Sequence, residues 1–329
     1  MENLGLNSDF WLGRRVFLTG HTGFKGGWLS LWLKSLGAVV TGFALPATKG
    51  SNIYHDAKVS TALESDIAGD ILQIDDLTKA MLASQPEIII HMAAQSLVRE
   101  SYLDPAGTYA TNVMGTVNLL EAARKCNGIQ GVLIITTDKC YENKEWDWGY
   151  REDDPMGGYD PYSSSKGCAE LVTAAYRKSF FDPLGIPVAT ARAGNVIGGG
   201  DWATDRIIPD AIRSFVAGEE LIVRNPDAVR PWQHVLESLA GYLSLCEKMV
   251  EKPREFAQAW NFGASDTDAK PVRYLVDMMV VNWGRPVSWR VDNSGQPHEA
   301  KLLKLDCSKA KNHLNWSSIW GLEQCLDET

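Results

Sequence analysis

No Cys-x-x-Cys pair occurs in this chain, and its six cysteines (Cys126, Cys140, Cys168, Cys246, Cys307 and Cys325) are scattered along 329 residues. That pattern excludes a disulfide framework or a cysteine zinc site and fits the reduced thiols of a cytoplasmic protein, so no metal is expected. Apolar runs are short as well. None reaches the roughly eighteen residues a membrane span needs, so no membrane partner is predicted. The opening, Met1 to Gly13, is polar and acidic and predicts no secretory signal. Lys/Arg-rich blocks are missing too, and a net charge of −9 with a pI near 5.2 argues against nucleic acid as the partner. Repeats and low-complexity tracts are absent. What is present, 45% hydrophobic and 22% charged residues, is the composition of a globular enzyme able to bury a large core.

The first strong local signal is Arg15-Val16-Phe17-Leu18-Thr19, a short apolar strand that runs into Gly20-His21-Thr22-Gly23-Phe24-Lys25-Gly26. A helix follows, with Trp28, Trp32 and Leu36 on one face and Leu29 and Leu33 beside them, and it stops at Gly37. Three glycines alone are most often mere turns. Between a strand and a helix they permit a tight turn and close approach of a pyrophosphate to free amides at the positive end of the helix dipole, so the spacing predicts a dinucleotide site. A second strand, 38–45, ends in Ala44-Leu45-Pro46, without the Asp or Glu that grips a ribose 2′-hydroxyl and without an arginine for a 2′-phosphate. NAD and NADP are not separated by this position.

Further along, Gly69-Asp70-Ile71 ends a short extended segment, and the strand 86–91 empties into Met92-Ala93-Ala94-Gln95. The segment 108–125 reads as a helix with Val113, Val117 and Leu120 on its apolar side, followed by a strand over 131–135. That strand turns polar at Thr136-Thr137-Asp138-Lys139, so it delivers polar side chains at its tip. After an acidic, Trp- and Gly-rich loop comes Asp160-Pro161-Tyr162-Ser163-Ser164-Ser165-Lys166, with Asp as N-cap and Pro at the first helical position. Tyr162 and Lys166 are four apart and share a helix face. A lysine cation there would favour phenolate and suit Tyr162 to act as a base.

Strands alternating with helices over the first 190 residues, with another strand at 186–190, predict an α/β, Rossmann-type doubly wound parallel sheet. Ligands in such sheets lie beyond the carboxyl ends of the strands. After Arg192 the rhythm breaks into a glycine-rich loop and mixed elements. The expected division is a dinucleotide-binding domain over 1–192, with 233–262 returning to it, and a smaller mixed α/β C-terminal substrate lobe over 193–329. The segment 297–306 has no pattern to assign it.

Together these motifs carry a resemblance. Thr19-Gly20-x-x-Gly23-Phe24-x-Gly26, His91-x-Ala93-Ala94, Asn112 and Tyr162-x-x-x-Lys166, in this order, are similar to the extended short-chain dehydrogenase/reductase family. Three further stretches look most like its 4,6-dehydratase branch acting on CDP-glucose: Thr137-Asp138-Lys139-Cys140-Tyr141, the run from Arg192 to Trp202, and Arg230-Pro231-Trp232-Gln233-His234-Val235-Leu236-Glu237. Relatives acting on dTDP-sugars carry Asp-Glu where this chain has Asp138-Lys139.

The resemblance implies NAD as cofactor, a sugar-nucleotide substrate and a homodimer formed through the helices 108–125 and 160–180. It implies deoxysugar biosynthesis of the kind that feeds the O-antigen of lipopolysaccharide. Tyr162 would take the proton of the sugar 4-hydroxyl while C4 gives hydride to NAD, with Thr137 bonding that hydroxyl and Lys166 holding the nicotinamide ribose. Asp138 would act as acid toward the 6-hydroxyl, and Lys139 as the base at C5. The cofactor contacts carried over are Gly20, Thr22, Gly23, Phe24, Lys25, Gly26, Asp70, Ile71, His91, Ala93, Ala94 and Thr136, with Tyr162 and Lys166. Gln95, Asn195, Arg206, Arg230 and His298 are carried over as sugar-nucleotide contacts. A dehydratase of another NDP-hexose or a 4-epimerase is the alternative enzyme; a non-enzymatic NAD-sensing module does not explain why Tyr162, Lys166 and Thr137 all stand. His21 is assigned no role.

Overall fold

A computed structural model describes residues 6–292, 294 and 300–329. The strands are β1 (Arg15–Thr19), β2 (Val39–Ala44), β3 (Ser65–Ala68), β4 (Ile88–His91), β5 (Gly131–Ile135), β6 (Val188–Ala193), β7 (Asn195–Ile197), β8 (Leu221–Val223), β9 (Val229–His234), β10 (Ala259–Phe262), β11 (Ala269–Pro271) and β12 (Trp289–Val291). The main helices are α1 (Phe24–Ser35), α2 (Ile74–Ser84), α3 (Gly115–Arg124), α4 (Pro161–Tyr176), α5 (Ile207–Ala217), α6 (Val235–Glu251) and α7 (Val272–Trp283).

Seven strands form one parallel sheet in the order β10-β6-β5-β4-β1-β2-β3. Its central strands are buried along their length because both faces are covered, as an all-parallel sheet requires. Alternation sends Val16, Leu18, Ile90 and Leu133 to one apolar layer, where α1 and α6 contribute Trp32, Leu33, Leu239 and Tyr242. Phe17, Ile89 and Val132 go to the other, with Leu77 of α2 and Leu119 and Leu120 of α3. The chain reverses direction of growth between β1 and β4, so the crevice beyond their carboxyl ends is the switch point where ligands bind.

Residues from 235 to 262 pack back on this sheet: α6 covers one face and β10 pairs with β6. The remaining C-terminal elements build a three-stranded sheet β11-β9-β7 and a β12-β8 pair around Phe215, Trp232 and Leu275.

Two expectations about helices need correction. The helix expected over 108–125 begins at Pro105 and passes through a π-turn, Ala110–Met114, before α3. Its buried side carries Asn112, Thr116, Leu119, Leu120 and Ala123, whereas Val113 and Val117 are only half-buried. The inward face is polar at its start because Asn112 closes backbone bonds there, accepting from the Gln95 amide and donating to the Gln95 carbonyl, both at 2.9 Å. In α1 the core face is Leu29, Trp32 and Leu33, and Trp28 sits at its margin, donating to the Gly199 carbonyl at 2.8 Å. Among the described residues no helix is long and apolar enough to cross a membrane.

Candidate active site

After Thr19 the chain turns through Gly20 at φ +79°, and α1 starts at Phe24. A Cβ at Gly20 would lie 2.7 Å from the Ala93 amide nitrogen, and one at Gly26 would lie 2.1 Å from the Gly20 carbonyl oxygen. Only glycine fits either position. Gly23 caps α1 with no side-chain hydrogen bond, so the first-turn amides remain available to an anion at the positive helix end. Thr22, Phe24 and Lys25 line a cavity of about 790 Å³ there. It runs past Asp70, Ile71, Ala93 and Ala94 to the tip of β5, and on to Asn195, Arg206 and Arg230. Ala44 and Leu45 form its wall beyond β2, so the apolar end of that strand faces the ligand space. A dinucleotide fits this cradle: two crowded glycines, an uncapped helix start and small residues opposite.

Thr136, Thr137, Asp138 and Lys139 follow β5 along the cavity wall, facing Tyr162 and Lys166 of α4. The Asp160 carboxylate accepts from the Ser163 amide at 2.9 Å, and Pro161 opens the helix, as the sequence predicts. Lys166 Nζ donates to the Ile135 carbonyl at 3.1 Å. Thr137 favours the Tyr162 phenolate, and its own hydroxyl donates to Asp138 Oδ1 at 2.9 Å. The three side chains stand together on the wall of one cavity.

Burial dominates the electrostatics. It pushes the Tyr162 phenol up to about 12, against the pull of Thr137, while the Asp138 charge pushes it further. The expectation of a lysine-depressed phenol is thus corrected: Lys166 spends its ammonium on the Ile135 carbonyl, and burial brings Lys166 itself down to about 8 against the charge of Glu170. Asp138 is raised by burial, opposed by Lys139, Thr137, Arg230 and Lys25, so its protonated form is favoured more than that of an ordinary carboxyl. A Cβ at Gly194 would come within 3.2 Å of Asp138 Oδ2, so glycine there leaves the carboxyl room. Lys25 donates to the Tyr242 hydroxyl at 3.3 Å, and burial, then Arg206, bring its amine down to about 7.

Other expected site residues are placed differently. His91 does not line the cavity. Thr19 Oγ1 accepts from the Met92 and Ala93 amides at 3.1 and 3.2 Å, so its own proton goes to His91 Nδ1, 2.7 Å away. Burial brings the ring down to about 3, and the neutral imidazole ties β1 to β4. Gln95 also turns away from the cavity, donating to the Thr108 hydroxyl at 2.9 Å and the Leu97 carbonyl at 3.0 Å. Thr136 lines the wall, but its hydroxyl donates to Glu170. Arg206 pairs with Asp201 at 2.7 Å and bonds Ser96 Oγ at 3.2 Å. The Arg230 guanidinium donates to the carbonyls of Val229, Ala300 and Lys301. His298 lies outside the described residues.

The sequence reading missed Arg224, Asn225 and Trp232, which line the far end of the cavity. Trp232 entered there only as part of the Arg230–Glu237 stretch, with no role of its own. His21, left without a role, packs against Gly42, where a Cβ would meet its ring at 2.6 Å, and its Nε2 lies 2.8 Å from Asp66.

The GDP-mannose 4,6 dehydratase family model matches residues 17–329. A CDP-glucose 4,6-dehydratase of Salmonella typhimurium is 53% identical over 98% of this chain and 90% of its own. A dTDP-glucose 4,6-dehydratase of Xanthomonas campestris is 24% identical over 95% and 91%. Among solved structures, a dTDP-glucose 4,6-dehydratase of Streptomyces venezuelae with NAD bound superposes with a TM-score of 0.80 at 23% identity, covering 96% of this chain and 95% of that one. A UDP-glucuronic acid 4-epimerase of Bacillus cereus gives 0.82 at 23%, covering 95% and 96%. The chain belongs to the GDP-mannose 4,6 dehydratase family and shares more than half of its residues with a CDP-glucose 4,6-dehydratase.

Proposed function

We propose that this protein is an NAD-dependent hydro-lyase that converts CDP-D-glucose into CDP-4-keto-6-deoxy-D-glucose, for deoxysugar biosynthesis in the cytoplasm. The observation that carries this reading is the grouping of Tyr162, Thr137 and Asp138, which places a base for oxidation and an acid for elimination in one cavity. When bound, NAD supplies the hydride chemistry, accepting at C4 and returning at C6. Gly20, Gly23, Gly26 and the start of α1 would hold its pyrophosphate, and Lys166 its nicotinamide ribose.

Tyr162 removes the proton of the 4-hydroxyl, and the resulting ketone acidifies the proton on C5. Lys139, acting as the free amine, takes that proton while Asp138 gives its own to the departing 6-hydroxyl, which leaves as water. Lys139 later returns its proton to C5. Tyr162 then passes the proton gained from the 4-hydroxyl through Thr137 to Asp138, and every group regains its starting state. Asn195, Arg206 and Arg230 are assigned to the sugar nucleotide. Residues 1–192 with 233–262 serve the cofactor, supported by the place of β10 beside β6, and the rest serves the sugar nucleotide. A surface polysaccharide such as the O-antigen of lipopolysaccharide is the setting assigned to the product.

A panel of CDP-, dTDP-, GDP- and UDP-hexoses, followed by NMR, tests the reading. CDP-glucose should give the 4-keto-6-deoxy product, and protein stripped of nucleotide should give none until NAD is added, because no carboxylate closes β2 to retain it. A C4 epimer as the product would overturn the reading in favour of an epimerase.

A homodimer is also proposed. Leu103, Tyr109, Met114, Leu171 and Phe180 stand exposed on the 98–124 and 161–181 helices, with Leu103 at 80% and Leu171 at 61%. Such a patch on paired helices favours a second copy. Light scattering should give twice the chain mass, and Leu171→Glu should give the single mass; a monomeric parent protein would refute the pairing.

A further inference from the structure

Asp138 and Lys139 sit in one 3-10 turn, Asp138–Cys140, and a turn that short has no ladder of its own to fix it. Glu170 lies one helical turn beyond Lys166 on α4, so Tyr162, Lys166 and Glu170 share a face. Its carboxylate accepts from Thr136 Oγ1, from Thr190 Oγ1 at 2.7 Å, and from Arg192 Nε and Nη2 at 2.9 and 2.8 Å. Arg192 and Glu170 are 3% and 5% exposed, so the remaining donors of this pair must find partners inside the protein. Arg192 Nη1 donates to the Tyr141 hydroxyl at 2.6 Å and to the Glu152 carbonyl at 2.9 Å. The Tyr141 hydroxyl donates onward to Asn261 Oδ1 at 2.7 Å, and its ring stacks on Tyr150 with centroids 5.2 Å apart.

This network grips the chain on both sides of the turn. Thr136 precedes Asp138 by two residues, Tyr141 follows Lys139 by two, and both are tied to the helix that carries Tyr162 and Lys166. We propose that Tyr141, anchored by the Arg192–Glu170 pair, is a positioning residue for Asp138 and Lys139 and hence for the elimination half of the cycle. The inference rests on the dehydratase reading. Oxidation depends on Tyr162, Thr137 and Lys166, whose contacts do not pass through Tyr141.

Tyr141→Phe keeps the stacked ring and removes only the hydroxyl. Two measurements decide the proposal. In ligand-free protein, amide exchange over 138–142 should quicken by about tenfold while the rest of the sheet is unchanged. In single turnovers with CDP-glucose and NAD, C4 oxidation should stay within about twofold of the parent, whereas conversion of the keto intermediate to product should slow by roughly 10²-fold, as a misplaced group predicts. Parent-like exchange and turnover would overturn the proposal, and so would equal slowing of both halves. If Tyr141→Phe does not fold, Asn261→Ser removes the acceptor of the same hydroxyl and carries the same measurements. A parent protein that makes no keto product would reject the dehydratase reading, leaving the exchange data to judge the anchor.

Discussion

Tyr162→Phe is expected to slow C4 oxidation by roughly 10³-fold, the range for loss of a positioned general base. The hydroxyl is the only polar part of this side chain, and Thr137 keeps Asp138 as a partner when it is gone. The variant should therefore fold like the parent and bind both ligands. Rapid mixing with CDP-glucose, followed by the absorbance of reduced cofactor, measures the step directly. The pH dependence gives a second readout. Because the phenol stands near 12 in the ligand-free site, its basic form is scarce at neutrality and grows as pH rises. Oxidation by the parent should accelerate toward alkaline pH, bending where Lys166 loses its proton near 8. That rising limb should vanish in Tyr162→Phe. Oxidation within tenfold of the parent would remove Tyr162 from the role of base.

What was legible in the sequence was local. The β1–glycine–α1 turn could be read because its glycines are required by contacts within the turn and with Ala93, and the start of α4 because Asp160 and Pro161 carry their capping chemistry with them. Side chains whose partners lie far away in sequence were misread. His91, beside Ala93 and Ala94, has the look of a cofactor contact, yet Thr19, 72 positions earlier, takes up its ring. Gln95 is claimed by Thr108, 13 positions on, whereas Arg230 stays on the cavity wall while it also holds the carbonyls at 300 and 301. The polar inward face of the 105–124 helix defeats a reading that seeks an apolar stripe, because Asn112 and Thr116 are buried for bonds and not for transfer out of water. Tyr141 escaped for the same reason: nothing near it in sequence announces Arg192 or Asn261.

Asp138→Asn and Lys139→Ala should each leave oxidation running and stop the cycle after it. The expected result is one equivalent of reduced cofactor per site, persisting, with product formation down by roughly 10²- to 10⁴-fold. Two features of the turn argue for this. Asp138 is buried, and desolvation raises its carboxyl, so it can hold a proton for the departing hydroxyl; an amide of the same shape cannot give one up. Lys139 lines the same cavity one residue on, and its charge opposes the rise at Asp138. Removing that charge by Lys139→Ala lets the Asp138 carboxyl rise further, so the acid is retained and only the base is lost. The two variants then separate by pH. In the parent, elimination should quicken as pH falls toward the raised Asp138 value, because the protonated acid is the working form. Asp138→Asn should show no such dependence, whereas Lys139→Ala should keep it at a lower rate. The isotope readout is independent of rate. Solvent deuterium should still enter C5 of the bound keto intermediate in Asp138→Asn, where the base survives, and should not in Lys139→Ala. Exchange at C5 that persists in Lys139→Ala would show that another group, or water, removes that proton.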